Sequence, residues 1–185
     1  PDLDAAASAV DLARGVVAAA TTRLAEVGLD EQQALAYDLA HAASAVEMGS
    51  GLLAYGAKGD VEGRIACAFV ADAVADLAAK TFGREADWGI EPGALDDARA
   101  FLATYRDPGF LAALADEEGP RHLDADFELV QDTFRRFAED KIRPVAEHVH
   151  RTNADVPEDI ISGLAEMGGF GLSVPEEYGG FAGGG

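Results

Sequence analysis

Residues 127–149 read FELVQDTFRRFAEDKIRPVAEHV, and Phe127, Val130, Phe134, Phe137, Ile142, Val145 and Val149 form one apolar stripe along them. Such a stripe among charged residues is the pattern of a long amphipathic helix. Asp124 or Asp126 is placed to cap its start, and the pattern runs to about His150. Pro144 falls inside it. Proline lacks the amide proton and its ring meets the carbonyl four residues back, so a kink is expected near residues 140–144.

Reading toward the C-terminus, Asn153 to Val156 breaks the pattern. Pro157 suits the first position of a next helix, with Glu158 and Asp159 in its first turn. Ile160, Ile161, Leu164 and Met167 give that helix its apolar side, and Gly168-Gly169 ends it. Phe170 to Pro175 reads as extended chain and Glu176 to Gly180 as a turn. Gly183-Gly184-Gly185 reads as a severed loop.

In the other direction, Asp116-Glu117-Glu118-Gly119-Pro120 is the most linker-like stretch. It divides the sequence into a module over 1–118 and a second over 119–185. The first module is rich in alanine at helical spacing. Ala6, Val10, Ala13, Val17, Ala20 and Leu24 stripe a helix from Asp4 to Val27, with Gly28 as its stop and Asp30 as the next cap. Leu35, Leu39, Ala42, Val46, Gly49 and Leu53 stripe a second, from Glu31 to Tyr55. Gly49 and Gly51 either weaken that helix or let a neighbour approach closely. Asp60 caps a third helix, Val61 to Glu85, striped by Ile65, Phe69, Val70, Val74, Leu77 and Phe82. Asp87 to Pro92 is a break, and shorter helices follow over Ala94–Tyr105 and Phe110–Asp116. No period-two alternation occurs. The fold class is therefore all-α, an antiparallel bundle followed by further helices.

Composition narrows the partners. With 34 acidic against 14 basic residues the net charge is −20, which disfavours nucleic acid and anionic membrane surfaces. The single cysteine, Cys67, sits in the apolar run Ile65 to Val70 and reads as a buried small residue. One cysteine permits no intrachain disulfide, which suits a reducing, cytoplasmic setting. No secretory leader or membrane span is legible.

The usual chemical motifs are missing. His41, His122, His148 and His150 make no metal-binding spacing, and no phosphate-cradling glycine loop or nucleophile elbow is found. Glu47 reads as a polar-face residue of the second helix, although a buried carboxylate there could act as a base. Lys58 and Lys80 are expected to pair with nearby carboxylates. Trp88 reads as a plug at the end of the bundle. No catalytic residue and no metal ligand is assigned, and the cofactor-binding residues stay unknown.

The order of motifs from Phe127 to Gly180 nevertheless resembles the opening of an acyl-CoA dehydrogenase. Phe127 to Ala146, with its internal proline, is similar to the family's first helix. Val156-Pro157-Glu158 is similar to the opening of its second helix, and Leu164 to Leu172 to the end of that helix. Val174-Pro175-Glu176-Glu177-Tyr178-Gly179-Gly180 closely resembles the segment that follows. The resemblance implies an FAD enzyme that oxidises the Cα–Cβ bond of an acyl-CoA thioester, served by an electron-transfer partner and assembled as a homo-oligomer. It also implies that the carboxylate base and the flavin site lie in later segments, so that 185 residues alone are inactive. Val174 to Gly180 would lead toward the substrate channel.

The first ~120 residues depart from the usual family pattern and look like an added helical module, as in methylsuccinyl-CoA dehydrogenases. Glu47 and Ala79 to Ala86 faintly resemble the texture of the family's own C-terminal bundle. The competing reading is a non-catalytic helical assembly module for a flavoprotein partner.

Overall fold

The computed structural model describes residues 1–182; residues 183–185, read above as a severed loop, lie outside it. Among the described residues every regular element is helical, apart from an isolated parallel bridge between Pro175 and Ala182. The all-α expectation therefore holds. The chain forms two compact units, Pro1–Pro120 and Arg121 onward.

The first unit is built on α1 (Leu3–Val27), α2 (Gln33–Gly56) and α3 (Asp60–Thr81), each of which packs on the other two. Their starts differ from the sequence reading. Asp2 caps α1 by accepting the Ala5 amide at 2.9 Å, so Asp4 lies inside the first turn. Asp30 does not cap α2; Leu29 to Gln32 form a turn in which the Gln32 amide donates to the Leu29 carbonyl at 3.2 Å. Asp60 is the first residue of α3, with Gly59 in the cap position. There its carboxylate faces the positive end of the helix dipole.

Small side chains set how these helices meet. Ala6, Ala13, Ala42, Ala66 and Ala71 are all buried. At Gly49 a Cβ would lie 3.4 Å from Val70 Cγ2 and 3.6 Å from Val10 Cγ2, so this glycine marks a close helix crossing. Gly51 has nothing within 4 Å, and neither does Gly15 on α1. Gly15→Ala and Gly51→Ala should therefore each stabilise the first unit by about 0.5–1 kcal/mol, read as a raised urea midpoint.

The buried side of α3 is broader than the expected stripe, of which Val70, Val74 and Leu77 are buried and Ile65 and Phe82 are not. It carries Cys67, Val70, Val74 and Leu77 but also Glu62 and Thr81, while Ile65 is 36% exposed. Phe82 is 85% exposed because the helix stops at Thr81 and Phe82 turns outward as the cap. The expected Val61–Glu85 helix is thus shorter, and a separate turn, α4 (Glu85–Trp88), follows. Arg84 ties this corner to α2 through Asp38 at 2.9 Å. Trp88 is fully buried, the plug the sequence suggested. Gly89 has φ 66°, and a Cβ there would meet Ala19 O at 3.4 Å, so the chain turns hard against α1.

A short 3₁₀ turn, Asp96–Ala98, runs into α5 (Arg99–Tyr105), and α6 (Pro108–Ala115) follows with Asp107 as its cap. Phe101, Tyr105 and Phe110 stack in sequence, with ring centroids 4.8 and 5.2 Å apart. The Arg64 guanidinium lies 5.4 Å from the Phe110 ring centroid and pairs with Glu117. That pair and the approach of Gly119 to Val61 hold the acidic linker along the start of α3.

In the second unit the expected long helix is present in two α segments, α7 (Ala125–Phe137) and α8 (Arg143–Thr152). Asp124 is the cap, accepting the Phe127 amide at 2.9 Å. The break expected near residues 140–144 is present as a π-helical turn over Ala138–Ile142. Pro144 then sits in the first turn of α8, where a missing donor costs little. Asn153, at φ 51°, ends α8. Pro157 is the cap of α9 (Glu158–Glu166), one position earlier than expected, because its ψ of 136° is still extended. Phe170 to Pro175 folds as turns, correcting the extended reading. Among the described residues of this unit Ile160 is the one buried apolar side chain.

Candidate functional site

The residues weighed from sequence lie apart on the surface or deep in the core. Glu47 is exposed, 3.4 Å from the Arg14 guanidinium, and is not the buried base that was considered. Lys80 pairs with Asp76, as expected. Lys58 instead sits 5.9 Å from the Tyr55 ring centroid. His41 stacks edge-on against Tyr37 at 4.5 Å, and His148 and His150 are exposed on α8. Among the described residues no group of three or more His, Cys, Asp or Glu could hold a metal ion.

Cys67 is the one nucleophilic thiol, and it is fully buried. Its thiol donates to the Asp2 carbonyl at 3.6 Å, and the Asp2 amide donates to the Tyr105 hydroxyl at 2.7 Å. Burial pushes the Cys67 thiol up, with the Tyr105 and Asp2 hydrogen bonds only partly opposing it. Burial likewise raises the Tyr105 hydroxyl. Neither group is poised as an anion at neutral pH.

The sign of the resulting pH dependence follows. Unfolded, the thiol ionises near 8.5; folded, it keeps its proton to higher pH. Stability is complete below that unfolded value and falls as pH rises toward the folded one. Cys67→Ala should flatten the fall that sets in above about pH 8.5, measured as urea midpoints across pH. An unchanged slope would show that the thiol does not cause it.

Two features have the shape of a site. The first is a hollow of about 900 Å³ between α1 and residues 90–101. Helical periodicity gave no signal for it, because its two walls lie some eighty residues apart in the sequence. The second is the loop Gly171 to Ala182. The Phe181 amide donates to the Gly171 carbonyl at 2.8 Å, the Ala182 amide to Val174 O at 3.0 Å, and the Gly180 amide to Pro175 O at 3.2 Å. The loop is thus closed on itself, with Glu176, Glu177 and Tyr178 exposed at its tip.

The hollow does not fit a flavin. A dinucleotide diphosphate needs cations or converging amides. The hollow is lined by Asp11, Glu91 and Asp97 and by no Lys or Arg. A second hollow beside Arg99 has a volume of about 230 Å³ and three carboxylates of its own. That volume is below the range usual for a drug-sized ligand.

Comparison with known proteins places the second unit. Residues 124–185 match the family model for the acyl-CoA dehydrogenase N-terminal domain. The chain is 46% identical over 63 residues to (2S)-methylsuccinyl-CoA dehydrogenase of Cereibacter sphaeroides, covering 34% of this chain and 12% of that protein. It is 43% identical over 53 residues to 3-(aryl)acrylate reductase of Clostridium sporogenes (strain ATCC 15579), covering 29% of this chain and 14% of that one. The chain therefore spans about an eighth of the length of these curated relatives. The capped α7, the π-turn ahead of Pro144, α9 and the closed loop are the described structure of the segment that matches the acyl-CoA dehydrogenase N-terminal domain.

Proposed function

We propose that this chain works as the N-terminal part of an FAD-dependent acyl-CoA dehydrogenase that oxidises the Cα–Cβ bond of an acyl-CoA thioester. The observation that carries the reading is the family match over 124–185. The state of the matched unit supports it. Phe127, Leu129, Phe170, Leu172 and Phe181 are each 59–69% exposed, and Ile160 is the one buried apolar side chain among the described residues of the unit, so most of its apolar surface is bare. Its apolar surface suits a unit that further protein covers.

The two relatives' names describe opposite directions of one bond change, a dehydrogenase and an acrylate reductase. Methylsuccinyl-CoA is the substrate proposed for this protein, from the name of the relative at 46% identity. The proton-abstracting carboxylate and the flavin site are assigned to residues beyond these 185, because the described hollows do not fit a flavin. An electron-transfer partner and a homo-oligomeric assembly complete the proposal.

The test uses a protein containing these residues together with the later segments of a full-length relative. It should purify with flavin absorbance and bleach anaerobically on adding methylsuccinyl-CoA. Residues 1–185 alone should bind no flavin. A longer protein that takes up no flavin, or stoichiometric FAD binding by 1–185, would overturn the reading.

A further inference from the structure

The hollow on the first unit runs along α1 from Ala5 to Val16, about 17 Å at the rise of an α-helix. Ala5, Ala9 and Gly15 line one side, and Ile90, Ala94 and Phe101 the other. Nothing lies within 4 Å of where a Gly15 Cβ would sit, so the floor is open and shallow there. The one hydroxyl on it, that of Ser8, already donates to the Asp4 carbonyl at 2.9 Å. The floor thus offers apolar surface along three helical turns and little to hydrogen-bond.

The charged residues that line it are all acidic and stand on both walls. Asp11 belongs to α1, where Arg14 approaches it at 3.5 Å, and Glu91 and Asp97 belong to the facing segment. A fatty acid or an acyl-CoA would carry its anion into this rim and be repelled. A helix with an apolar face and cations on both shoulders matches floor and rim together. Small residues on the floor let such a helix approach closely.

We propose that this hollow seats a basic amphipathic helix of a partner protein, its apolar face on the alanines of α1 and its lysines or arginines paired with Asp11, Glu91 and Asp97. The inference stands on the first unit and does not depend on the dehydrogenase reading.

The test measures fluorescence anisotropy of a labelled 18-residue Leu/Lys amphipathic peptide, and of its Leu/Glu counterpart, against the full 185-residue chain. The Lys peptide should bind saturably, lose about tenfold in affinity from low salt to about 0.5 M, and far outbind the Glu peptide. Gly15→Arg fills the floor and should weaken binding about tenfold or more, a loss of about 1.4 kcal/mol. Ala18→Arg makes the same charge change on an exposed α1 position outside the hollow and should leave binding within about twofold. If Gly15→Arg lost its helical signal, the double variant Glu91→Gln, Asp97→Asn would serve instead, since both side chains are exposed; it should weaken binding several-fold. Equal weakening by Gly15→Arg and Ala18→Arg would mean general attraction to an acidic surface and would overturn the proposal. So would equal binding of the two peptides, saturable uptake of a fatty acid, absence of binding, or a chain dimer that the peptide cannot displace.

Discussion

Trp88→Ala should bring the first unit to the edge of unfolding at room temperature, with an expected loss of about 3–5 kcal/mol. A domain of this size holds about 5–15 kcal/mol in all. The ring is fully buried in the same apolar cluster as the buried faces of α1, α2 and α3. α4 has only four residues. Nothing in its helix propensity holds it in place, so the indole itself anchors the corner between α3 and α5. The indole Nε1 has no hydrogen-bond partner among the described residues. Trp88→Phe therefore breaks no hydrogen bond and should cost only the lost ring volume, about 1–2 kcal/mol. Urea melts followed by far-ultraviolet circular dichroism separate the two variants. Equal damage from Phe and Ala would mean that the N–H is bonded after all, and an Ala variant within about 1 kcal/mol of the parent would refute the anchoring role.

Gly180→Ala should open the closed loop of the second unit. A Cβ at Gly180 would overlap the Val174 carbonyl, which is backbone and cannot rotate away. Relief requires parting residues 174 and 180, and with them the bonds from Phe181 to Gly171 and from Ala182 to Val174. The Phe181 ring, seated over Gly168 and Gly171, would leave with them. The expected signs are amide exchange at Phe181 and Ala182 about tenfold faster or more, and quicker chymotryptic cleavage at Phe181. Gly179→Ala is the comparison. Its φ of 83° strains a non-glycine residue, but nothing lies within 4 Å of the added carbon. It should cost about 1 kcal/mol and leave the loop closed. If both variants exchange alike, the overlap at Gly180 is not what keeps the loop shut.

Helical periodicity made most of this architecture legible. The stripes over Ala6 to Ala20 and Leu35 to Val46 face the core as their spacing requires, because those helices are long and bury one side. α3 was harder to read. It is buried on a broader arc, and Glu62 lies within that arc, which no polarity pattern announces. Helix starts were read less well: α1 begins with Asp2 as its cap and not at Asp4, and a plain turn stands where Asp30 was expected to cap α2. Pro157 marked a helix start but not its position to one residue, because proline fixes φ and leaves ψ free. The hollow on α1 was unreadable, since its far wall is an irregular segment some eighty residues away in sequence. Glu47 was ambiguous until its exposure and the Arg14 contact were known.

The π-turn over Ala138–Ile142 has a consequence for how this helix tolerates insertion and deletion. The apolar residues step by three and four up to Phe137, then by five to Ile142, then by three and four again. In an α-helix a step of five swings a side chain about 140° round the axis; the wider turn brings it back toward its own face. One residue between Phe137 and Ile142 is therefore surplus to a plain α register. Deleting Glu139 or Asp140 would shorten the step to four and let an ordinary turn join the two halves with their apolar faces still aligned. Elsewhere in α7 or α8 a one-residue deletion would rotate everything after it out of phase.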